Sequence, residues 1–312
     1  MPEQIERSGL PSDIAACAVT VGTFDGVHRG HYDVLRRLVD LAASRQMASV
    51  LVTFAPHPTE VLRPASAPLL LTPGMEKLEA LATIGLDYCA VLPFTTTLAV
   101  LTAAEFVRDV LRPRFRMATL MIGHDHGFGR DRAGGREQLL ALGHADGFHV
   151  ETVAPVATSD GAVVSSSAIR RAVAEGDLEG ARRALGRRYS VAGVVQRGDQ
   201  RGRTIGFPTI NLGAAAPRKL VPPAGVYAAI VQTPAGAHGA MVNLGARPTV
   251  GDQRHTLEAH LFDFSGDLYG ASVRVDFVAP LRPIRRFVGL EELTAQLAAD
   301  GLAARTALTR FG

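Results

Sequence analysis

Two histidines, an aspartate and three glycines lie close together near the N-terminus, in the segment 22–31. Glycine lets the backbone approach a ligand closely, because it carries no Cβ. Imidazoles beside the free N–H groups of a helix start can hold a polyphosphate. A tight turn that binds nothing is the alternative, but this combination favours a nucleotide site. The candidate ligands are Gly22, Phe24, Asp25, Gly26, His28 and His31.

A strand and a helix must position this segment. Residues 15–21 are short, apolar and β-branched near their end, which predicts a buried strand. Val34, Leu35, Leu38 and Leu41 then recur at the spacing of an amphipathic helix. The glycines therefore occupy a strand-to-helix turn.

Two further segments of the first half carry polar residues suited to the same site. Residues 123–130 form a second glycine-rich turn, in which Asp125 could meet a ribose or help to hold a metal. Ser166 and Ser167 precede a helical pattern, where hydroxyls cap helices and bind anions. Arg170 lies one turn further and can make a forked contact with a phosphate. An ordinary polar loop and a plain capped helix are the alternatives.

A glycine-rich segment of the second half, residues 198–211, suggests another phosphate site. Its glycines, Gly198, Gly202 and Gly206, leave backbone N–H groups free to surround phosphates. Thr209 and Asn211 alternate on one face of an extended segment and offer hard oxygens suited to Mg²⁺. A hairpin loop with a polar rim is the alternative.

The order of elements predicts two domains. From residue 15 to about 186, strand-like and helical patterns alternate, which indicates a parallel sheet with helices on both faces. Thr72 is expected to cap one of these helices, and Thr102 to open another with a capping box to Glu105. Beyond 186, short strands separated by Gly, Pro and Asp suggest a small barrel or sandwich, with a helix at 290–308 packed outside it. The predicted domains are 1–186 and 187–312.

Composition limits the classes of function. The net charge of the 312-residue chain is +3, and no Lys/Arg run is long enough for a nucleic-acid groove. Its two cysteines lie in apolar, strand-like contexts and suggest free thiols in a reducing compartment. The N-terminal segment has no apolar signal core, and no apolar run approaches the roughly 18 residues of a membrane span. We therefore expect a cytoplasmic protein that binds neither nucleic acid nor membrane.

Both halves resemble one enzyme family. Segment 22–31 is similar to the HxGH signature of nucleotidyltransferases, and its G-x-F-D-G-V-H-x-G-H form resembles the adenylyltransferase half of bacterial bifunctional riboflavin kinase/FAD synthetases. Segment 164–170 resembles the S-S-T-x-I-R signature of the same superfamily. Segment 198–211 resembles the riboflavin kinase signature G-x-x-x-G-R-x-x-G-F-P-T-A-N, with Ile210 in place of Ala. Segments 225–227, 243–249, 258–264 and 267–270 continue the resemblance in order.

The resemblance implies an α/β fold, with a Rossmann-like nucleotidyltransferase domain followed by a small β-barrel riboflavin kinase domain and a closing helix. It implies that the chain phosphorylates riboflavin to FMN and adenylates FMN to FAD, with ATP as substrate in both steps and Mg²⁺ as cofactor. It assigns His28, His31 and Arg170 to the triphosphate and the leaving pyrophosphate, and Glu258 to the role of general base in the kinase.

The resemblance also completes the candidate binding sites. The ATP-binding set of the first domain is Gly22, Phe24, Asp25, Gly26, His28, His31, Asp125, Ser166, Ser167 and Arg170, and that of the second is Gly198, Arg203 and Gly206. Flavin-binding candidates are Pro58, Phe106, Phe128, Phe287 and Arg305, although an apolar residue at such positions is more often core. The metal ligands are Thr209 and Asn211.

Three alternatives remain open from the sequence. The chain could be a single-activity adenylyltransferase whose barrel has become a flavin sensor, which the presence of Thr209, Asn211 and Glu258 disfavours. It could be a nucleic-acid-binding protein, but the expected aromatic platform and basic groove are missing. It could transfer adenylyl to another phosphate acceptor, such as a pyridine or pantetheine nucleotide. The oligomeric state is left open.

Overall fold

The chain folds into two compact units. The computed structural model describes residues 3–5, 10–123, 128–129, 134–154, 161, 163–198, 201–213, 215–249 and 252–311. The units are Met1–Ser166 and Ser167–Gly312.

A parallel sheet forms the centre of the first unit. Its strands are β1 Glu3–Ile5, β2 Cys17–Val21, β3 Ala48–Ala55, β4 Tyr88–Pro93, β5 Met117–Gly123 and β6 His149–Val153. They lie in the order β1-β4-β3-β2-β5-β6, and every neighbouring pair is parallel. The chain builds outward from β2 and then returns to place β5 on the other side of β2. The switch point, where ligands bind in open α/β sheets, therefore lies between the carboxyl ends of β2 and β5.

Helices accompany the strands of this sheet. They are α1 Arg29–Ser44, α2 Pro58–Leu62, α3 Met75–Ala82, α4 Thr96–Ala99, α5 Ala103–Phe106, α6 Arg112–Phe115 and α7 Arg136–Asp146, with a 3₁₀ turn at Pro64–Ser66 and a π-helical turn at Val107–Leu111 between α5 and α6. Val19 and Val21 of β2 pack in one apolar cluster, whereas Ala18 packs in another. Successive strand residues point to opposite faces, so both faces of the sheet are covered.

A closed antiparallel barrel forms most of the second unit. After α8 Ser166–Glu175 and α9 Leu178–Leu185 come six strands, with α10 Arg201–Thr204 before the second of them and α11 Leu290–Phe311 at the end. The strands are β7 Ser190–Gln196, β8 Ile210–Leu212, β9 Gly225–Thr233, β10 Gly236–Thr249, β11 Asp252–Leu261 and β12 Ser272–Arg282. The strand order around the barrel is β10-β11-β8-β7-β12-β9. Ala304, Leu297 and Leu308 of α11 pack on Val226 of β9 and Met241 of β10.

The predicted fold class is confirmed: a parallel α/β sheet precedes a small barrel with a closing helix. The capping box at Thr102 is also confirmed. The cap predicted for Thr72 is wrong, because α3 begins at Met75 with Gly74 as its N-cap. The Thr72 hydroxyl is buried and accepts a hydrogen bond from Gly26 N–H at 2.8 Å.

The structural division falls after Ser166, and the predicted functional boundary lies between residues 186 and 187. Helices α8 and α9 occupy the interval and are part of the second compact unit. The assignment of 1–186 and 187–312 to separate functions stays a prediction.

Within the described residues, no helix combines the length and the hydrophobicity needed to span a bilayer.

Candidate active sites

The loop that follows β2 has an unusual backbone. Phe24 and Val27 adopt positive φ angles of 47° and 39°, and Gly26 lies between them at 88°. A residue other than glycine in this region costs on the order of 1–3 kcal/mol and persists only where its surroundings hold it. Contacts with other segments of the chain must therefore stabilise this loop.

Segment 71–72 clamps the loop through Asp25. The Asp25 side chain is 1% exposed, and its carboxylate accepts hydrogen bonds at 3.0 Å from the N–H groups of Leu71 and Thr72. The Thr72 hydroxyl in turn accepts the N–H of Gly26. These bonds join two stretches that are far apart in the sequence. They also direct the Asp25 carboxylate toward main-chain donors of the protein.

Two further side chains bind carbonyls of the same loop. Lys77 of α3 donates from Nζ to the carbonyl oxygen of Thr23 at 2.8 Å. Burial lowers the pKa of Lys77, and the negative charge of Asp25 acts in the opposite direction. Ser166, at the start of α8, donates its hydroxyl to the carbonyl oxygen of Asp25 at 2.9 Å. The predicted serine element and the glycine loop therefore meet at Ser166.

His28 and His31 stack at the beginning of α1. Their ring centroids are 3.6 Å apart with an angle of 18° between the planes, and the ring of Phe24 lies 4.8 Å from that of His31. His28 is the N-cap, and its Nδ1 accepts the N–H of His31 at 3.2 Å. Because Nδ1 accepts, the neutral ring of His28 carries its proton on Nε2, which makes Nε2 a donor.

Gly22 and Gly30 leave room for these rings. A Cβ at Gly30 would lie 3.3 Å from Nδ1 and Cε1 of His28, and one at Gly22 would lie 2.8 Å from the ring of Phe24. The absence of a side chain at Gly22 and Gly30 therefore allows the rings of Phe24 and His28 to pack against the backbone.

The other candidates of the first domain fall in different places. Ser167 and Arg170 lie on the first turns of α8, and the division between the compact units places them in the second unit. Asp125 lies outside the described residues. Phe106 is 4% exposed, belongs to the core under the sheet and packs against Phe128 at 5.6 Å between ring centroids. Pro58 is the first residue of α2.

A cavity of about 270 Å³ opens in the barrel unit. Strand register explains the polar residues on its wall: Glu258 of β11 pairs with Asn211 of β8 on one side and with Asn243 of β10 on the other. The cavity is lined by Gly202, Ile205, Phe207, Thr209, Val226, Met241, Asn243, Glu258, His260, Arg282, Ile284, Arg285, Phe287, Leu293 and Leu297.

The predicted metal ligands lie on or beside this cavity. Thr209 lines it, and Asn211 is the cross-strand partner of Glu258. The Asn211 side chain packs directly against the backbone of Gly198. A Cβ at position 198 would lie 2.6 Å from Cγ of Asn211, which is too close for any residue other than glycine. Gly198 thus makes room for Asn211.

The donors present suit a hard cation that shares its coordination with phosphates. No group of three or more His, Cys, Asp or Glu in the described residues forms a metal cluster. A hydroxyl, an amide oxygen and one carboxylate are oxygen donors, and Mg²⁺ is commonly held by few protein oxygens plus phosphates. The residues therefore fit Mg²⁺ bound together with a nucleotide.

Of the remaining candidates in the second domain, Phe287 lines the cavity, whereas Arg203 and Gly206 are not among its lining residues. Arg203 and Gly206 are exposed in and after α10, close in sequence to the cavity residues Gly202 and Ile205. Phe287 lines the cavity, with the guanidinium of Arg285 4.7 Å from its ring centroid.

Arg305 is not among the residues that line this cavity. Its guanidinium forms two 2.8 Å hydrogen bonds with the Asp263 carboxylate and lies 4.4 Å from the ring centroid of Phe262. These bonds lower the pKa of Asp263. The predicted flavin contact of Arg305 would have to be made from this position.

Sequence reasoning missed four residues that contribute to these sites. Thr72 is predicted as a helix cap, and no motif or pattern in the sequence singles out Lys77. Asn243 and His260 lie in segments that resemble the family, but the sequence analysis predicts no role for either residue. An alternation of polar side chains at 258 and 260 could have identified His260, because residues two apart on a strand share a face.

Two family models match the chain. A model described as FAD synthetase matches residues 10–168, and one described as riboflavin kinase matches residues 185–308. The first range contains the histidine loop and its clamps, and the second contains the barrel cavity.

Similar proteins share most of their length with this chain. The bifunctional riboflavin kinase/FMN adenylyltransferase of Escherichia coli strain K12 is 39% identical over 293 residues, which cover 93% of this chain and 92% of that protein. The enzyme of the same description from Pseudomonas fluorescens is 40% identical over 290 residues, with the same coverage. The crystal structure of a protein described as a macrolide-efflux protein, from Streptococcus pneumoniae, matches with a TM-score of 0.85 and 30% identity, covering 97% of this chain and 98% of that one.

Proposed function

The chain belongs to the bifunctional riboflavin kinase/FMN adenylyltransferase family, and from this premise we propose which residues perform each of its two reactions. The enzyme phosphorylates riboflavin with ATP to FMN and transfers an adenylyl group from ATP to FMN, giving FAD and pyrophosphate. We assign adenylyl transfer to residues 1–186 and the kinase reaction to residues 187–312. The single-activity alternative loses its basis, because a riboflavin kinase model matches the barrel.

In adenylyl transfer, a phosphate oxygen of FMN bonds to the α-phosphorus of ATP, and the bond to the bridging oxygen of pyrophosphate breaks. This reaction depends on positioning and charge neutralisation more than on covalent catalysis. Nε2–H of His28 donates to a phosphate oxygen, since its Nδ1 already accepts the N–H of His31. His31 and Arg170 neutralise the charge that develops on the leaving pyrophosphate. The stacked histidine pair at the start of α1 is the observation that carries this assignment.

The other nucleotide-binding candidates of the first domain divide into two groups. Gly22, Gly26 and Phe24 shape the loop, and Ser167 and Asp125 contact ATP as the resemblance implies. We give Asp25 and Ser166 a positioning role, because the Asp25 carboxylate binds main-chain N–H groups and the Ser166 hydroxyl binds the Asp25 carbonyl. Pro58, Phe106 and Phe128 remain proposed for the isoalloxazine side, with Phe106 acting through the core it belongs to.

In the kinase reaction, Glu258 accepts the proton of the riboflavin 5′-hydroxyl as that oxygen bonds to the γ-phosphorus of ATP and ADP leaves. Glu258 lines the cavity together with Thr209 and Phe287, which supports this role. Gly198, Arg203 and Gly206 surround the nucleotide phosphates, and Phe287 contacts the flavin. A flavin contact of Arg305 stays a prediction from the resemblance, because Arg305 pairs with Asp263 and is not among the residues that line the cavity.

Mg²⁺ is the proposed cofactor, held in the kinase site by Thr209 and Asn211. When bound, it would neutralise part of the phosphate charge. The support for this is the set of hydroxyl, amide and carboxylate oxygens that the barrel places side by side.

We also propose that the enzyme works in the cytoplasm. Both of its cysteines are free and buried in strands of the sheet, as suits a reducing compartment.

A pair of reciprocal variants tests the division of labour. Glu258→Gln should lower FMN formation by about 10²- to 10⁴-fold, the usual contribution of a general base, while FAD formation from supplied FMN continues. His28→Ala should do the reverse. The assay incubates the purified protein with riboflavin or FMN, ATP and Mg²⁺ and separates FMN from FAD by chromatography.

Exposed positions provide matched controls: Glu291→Gln on α11 and His144→Ala on α7 should leave both rates unchanged. Equal FMN formation by Glu258→Gln and the parent enzyme would remove Glu258 from the mechanism. Loss of both reactions in folded His28→Ala would overturn the separation of the two sites.

A further inference from the structure

His260 lies two residues after Glu258, the proposed general base of the kinase, and the proposed mechanism assigns it no role. Glu258 and His260 both line the barrel cavity, and Ala259 between them is fully buried. Residues two apart on a strand share a face, so the two polar side chains belong to one wall of the cavity.

The strand opposite His260 is held in an unusual way. Regular pairing between β11 and β8 ends at Ala259 and Ile210. Thr209 is the residue immediately before β8, and it follows Pro208, which has no N–H for a ladder. At this point Nδ1 of His260 lies 2.8 Å from the carbonyl oxygen of Pro208. The histidine side chain thus continues the connection between the strands where the backbone pairing stops.

The direction of this hydrogen bond follows from its acceptor. A carbonyl oxygen can only accept, so Nδ1 of His260 must carry a proton. The ring makes a T-shaped contact with Phe207, at 5.4 Å between centroids, and another with Phe262, at 5.8 Å. These ring contacts hold the donor in its orientation.

The carbonyl of Pro208 belongs to the same planar peptide unit as the N–H of Thr209, and a bond to that carbonyl fixes the plane. We propose that His260 is a positioning residue of the riboflavin kinase reaction: its Nδ1–H holds the Pro208–Thr209 peptide so that the Thr209 hydroxyl is presented to the cavity beside Glu258. This inference rests on the proposed role of Thr209 as a metal ligand.

The first test is independent of activity. In the full chain labelled with ¹⁵N-histidine, long-range ¹H–¹⁵N spectra report which ring nitrogen of each of the ten histidines carries the proton. The His260 signal is identified by its loss in His260→Asn. It should show a protonated Nδ1, and a ring protonated on Nε2 alone would overturn the proposal.

The second test compares three substitutions. The amide nitrogen of asparagine can take the place of Nδ1, whereas that of glutamine reaches the place of Nε2 and leucine has no donor. His260→Gln and His260→Leu should lose about tenfold in kcat/KM for ATP, the effect of one hydrogen bond of ordinary strength, with a raised Mg²⁺ requirement and an unchanged KM for riboflavin. His260→Asn should stay within about threefold of the parent, a residual change smaller than one full hydrogen bond. FAD formation from supplied FMN is the internal control.

Equal losses in all three variants would show that the ring itself, not its Nδ1–H, is needed, and three unchanged variants would remove His260 from the reaction; either overturns the proposal. Thr209→Val and Thr209→Ser test the underlying assignment separately. If Thr209→Val retains FMN formation, the metal-ligand role fails; if it loses FMN formation while the His260 variants do not, only the present inference fails.

Discussion

Burial governs the chemistry of the two cysteines more than their neighbours do. Cys17 and Cys89 have no exposed surface, and both lie in the central strands of the sheet. Burial raises the pKa of the Cys17 thiol from 9.0 to about 12, with Arg116 opposing the shift, and that of Cys89 to about 11, with Lys77 opposing it. Since the thiolate is the reactive form, both residues are inert in the folded protein.

These shifts predict a loss of stability in alkali. A thiol pKa above its unfolded value stabilises the fold fully below about pH 9, and this contribution is lost as the pH rises through the interval to about 12 for Cys17. Each pH unit in that interval should lower the stability of the parent relative to Cys17→Ala by on the order of 1 kcal/mol. Chemical denaturation of both proteins at pH 8 and pH 10 measures the difference. An identical pH dependence in the two proteins would contradict the shift.

At the scale of elements, the start of α3 and the segment before it position the loop that follows β2. Thr72 accepts the N–H of Gly26, Asp25 accepts the N–H groups of Leu71 and Thr72, and Lys77 donates to Thr23. The loop carries three positive φ angles, so its shape depends on these contacts more than on local preference. The segment 71–77 therefore contributes to the proposed adenylyltransferase site, although it carries none of the motifs that predicted that site.

The clamp predicts opposite results for two substitutions at Thr72. Thr72→Val removes the hydroxyl that accepts the buried N–H of Gly26, which should cost about 1–3 kcal/mol of stability. FAD formation should fall by tenfold or more, because the histidines lose their geometry. Thr72→Ser keeps the hydroxyl and should recover most of the rate. FMN formation by the same samples is the control. If the valine variant matches the serine variant, the clamp is not needed for the reaction.

A substitution at Gly30 in helix α1 should affect activity without a matching loss of stability. Gly30 is the second residue of α1, where the backbone conformation suits alanine as well as glycine, so Gly30→Ala should keep a stability within about 1 kcal/mol of the parent. Its Cβ would lie 3.3 Å from the His28 ring, however, and displacing that ring should lower FAD formation by tenfold or more. Gly301→Ala in α11 is the matched control, since its Cβ would make only an ordinary 4.0 Å contact with Phe262. A stable Gly30→Ala enzyme of full activity would contradict this account of the glycine.

At the scale of the whole molecule, the compact units and the predicted functional domains begin at different residues. The second unit begins at Ser167, whereas the predicted kinase domain begins at residue 187. Helix α9 lies in between, buries Leu178, Ala181 and Leu185, and contacts β12 of the barrel. The barrel thus uses α9 as part of its packing.

Two fragments test this difference. Both 167–312 and 187–312 retain the cavity residues and should form FMN, but the shorter fragment loses the burial of Leu178 and Leu185. Each buried leucine contributes about 1.5–3 kcal/mol, so the shorter fragment should melt at a clearly lower temperature. Thermal unfolding followed by circular dichroism provides the measurement. Equal melting temperatures would show that α9 does not stabilise the barrel.

The sequence by itself determined the features that depend on neighbours along the chain. The alternation of strand and helix patterns up to residue 186 predicted the parallel sheet, and the closely spaced short strands after it predicted a barrel or a sandwich. The order of glycine, histidine and serine motifs predicted nucleotide chemistry. These signals are local, because strand and helix periodicity and turn chemistry are set by residues a few positions apart.

Only the tertiary structure decided which distant residues meet. It closed the barrel, placed Glu258 beside Asn211 and Asn243, brought Thr72 and Lys77 to the loop of His28, and joined His260 to Pro208. It also placed Arg305 on Asp263, outside the set of cavity-lining residues that includes Phe287. Contacts of this kind depend on strand register and packing across long sequence separations, which local periodicity does not specify.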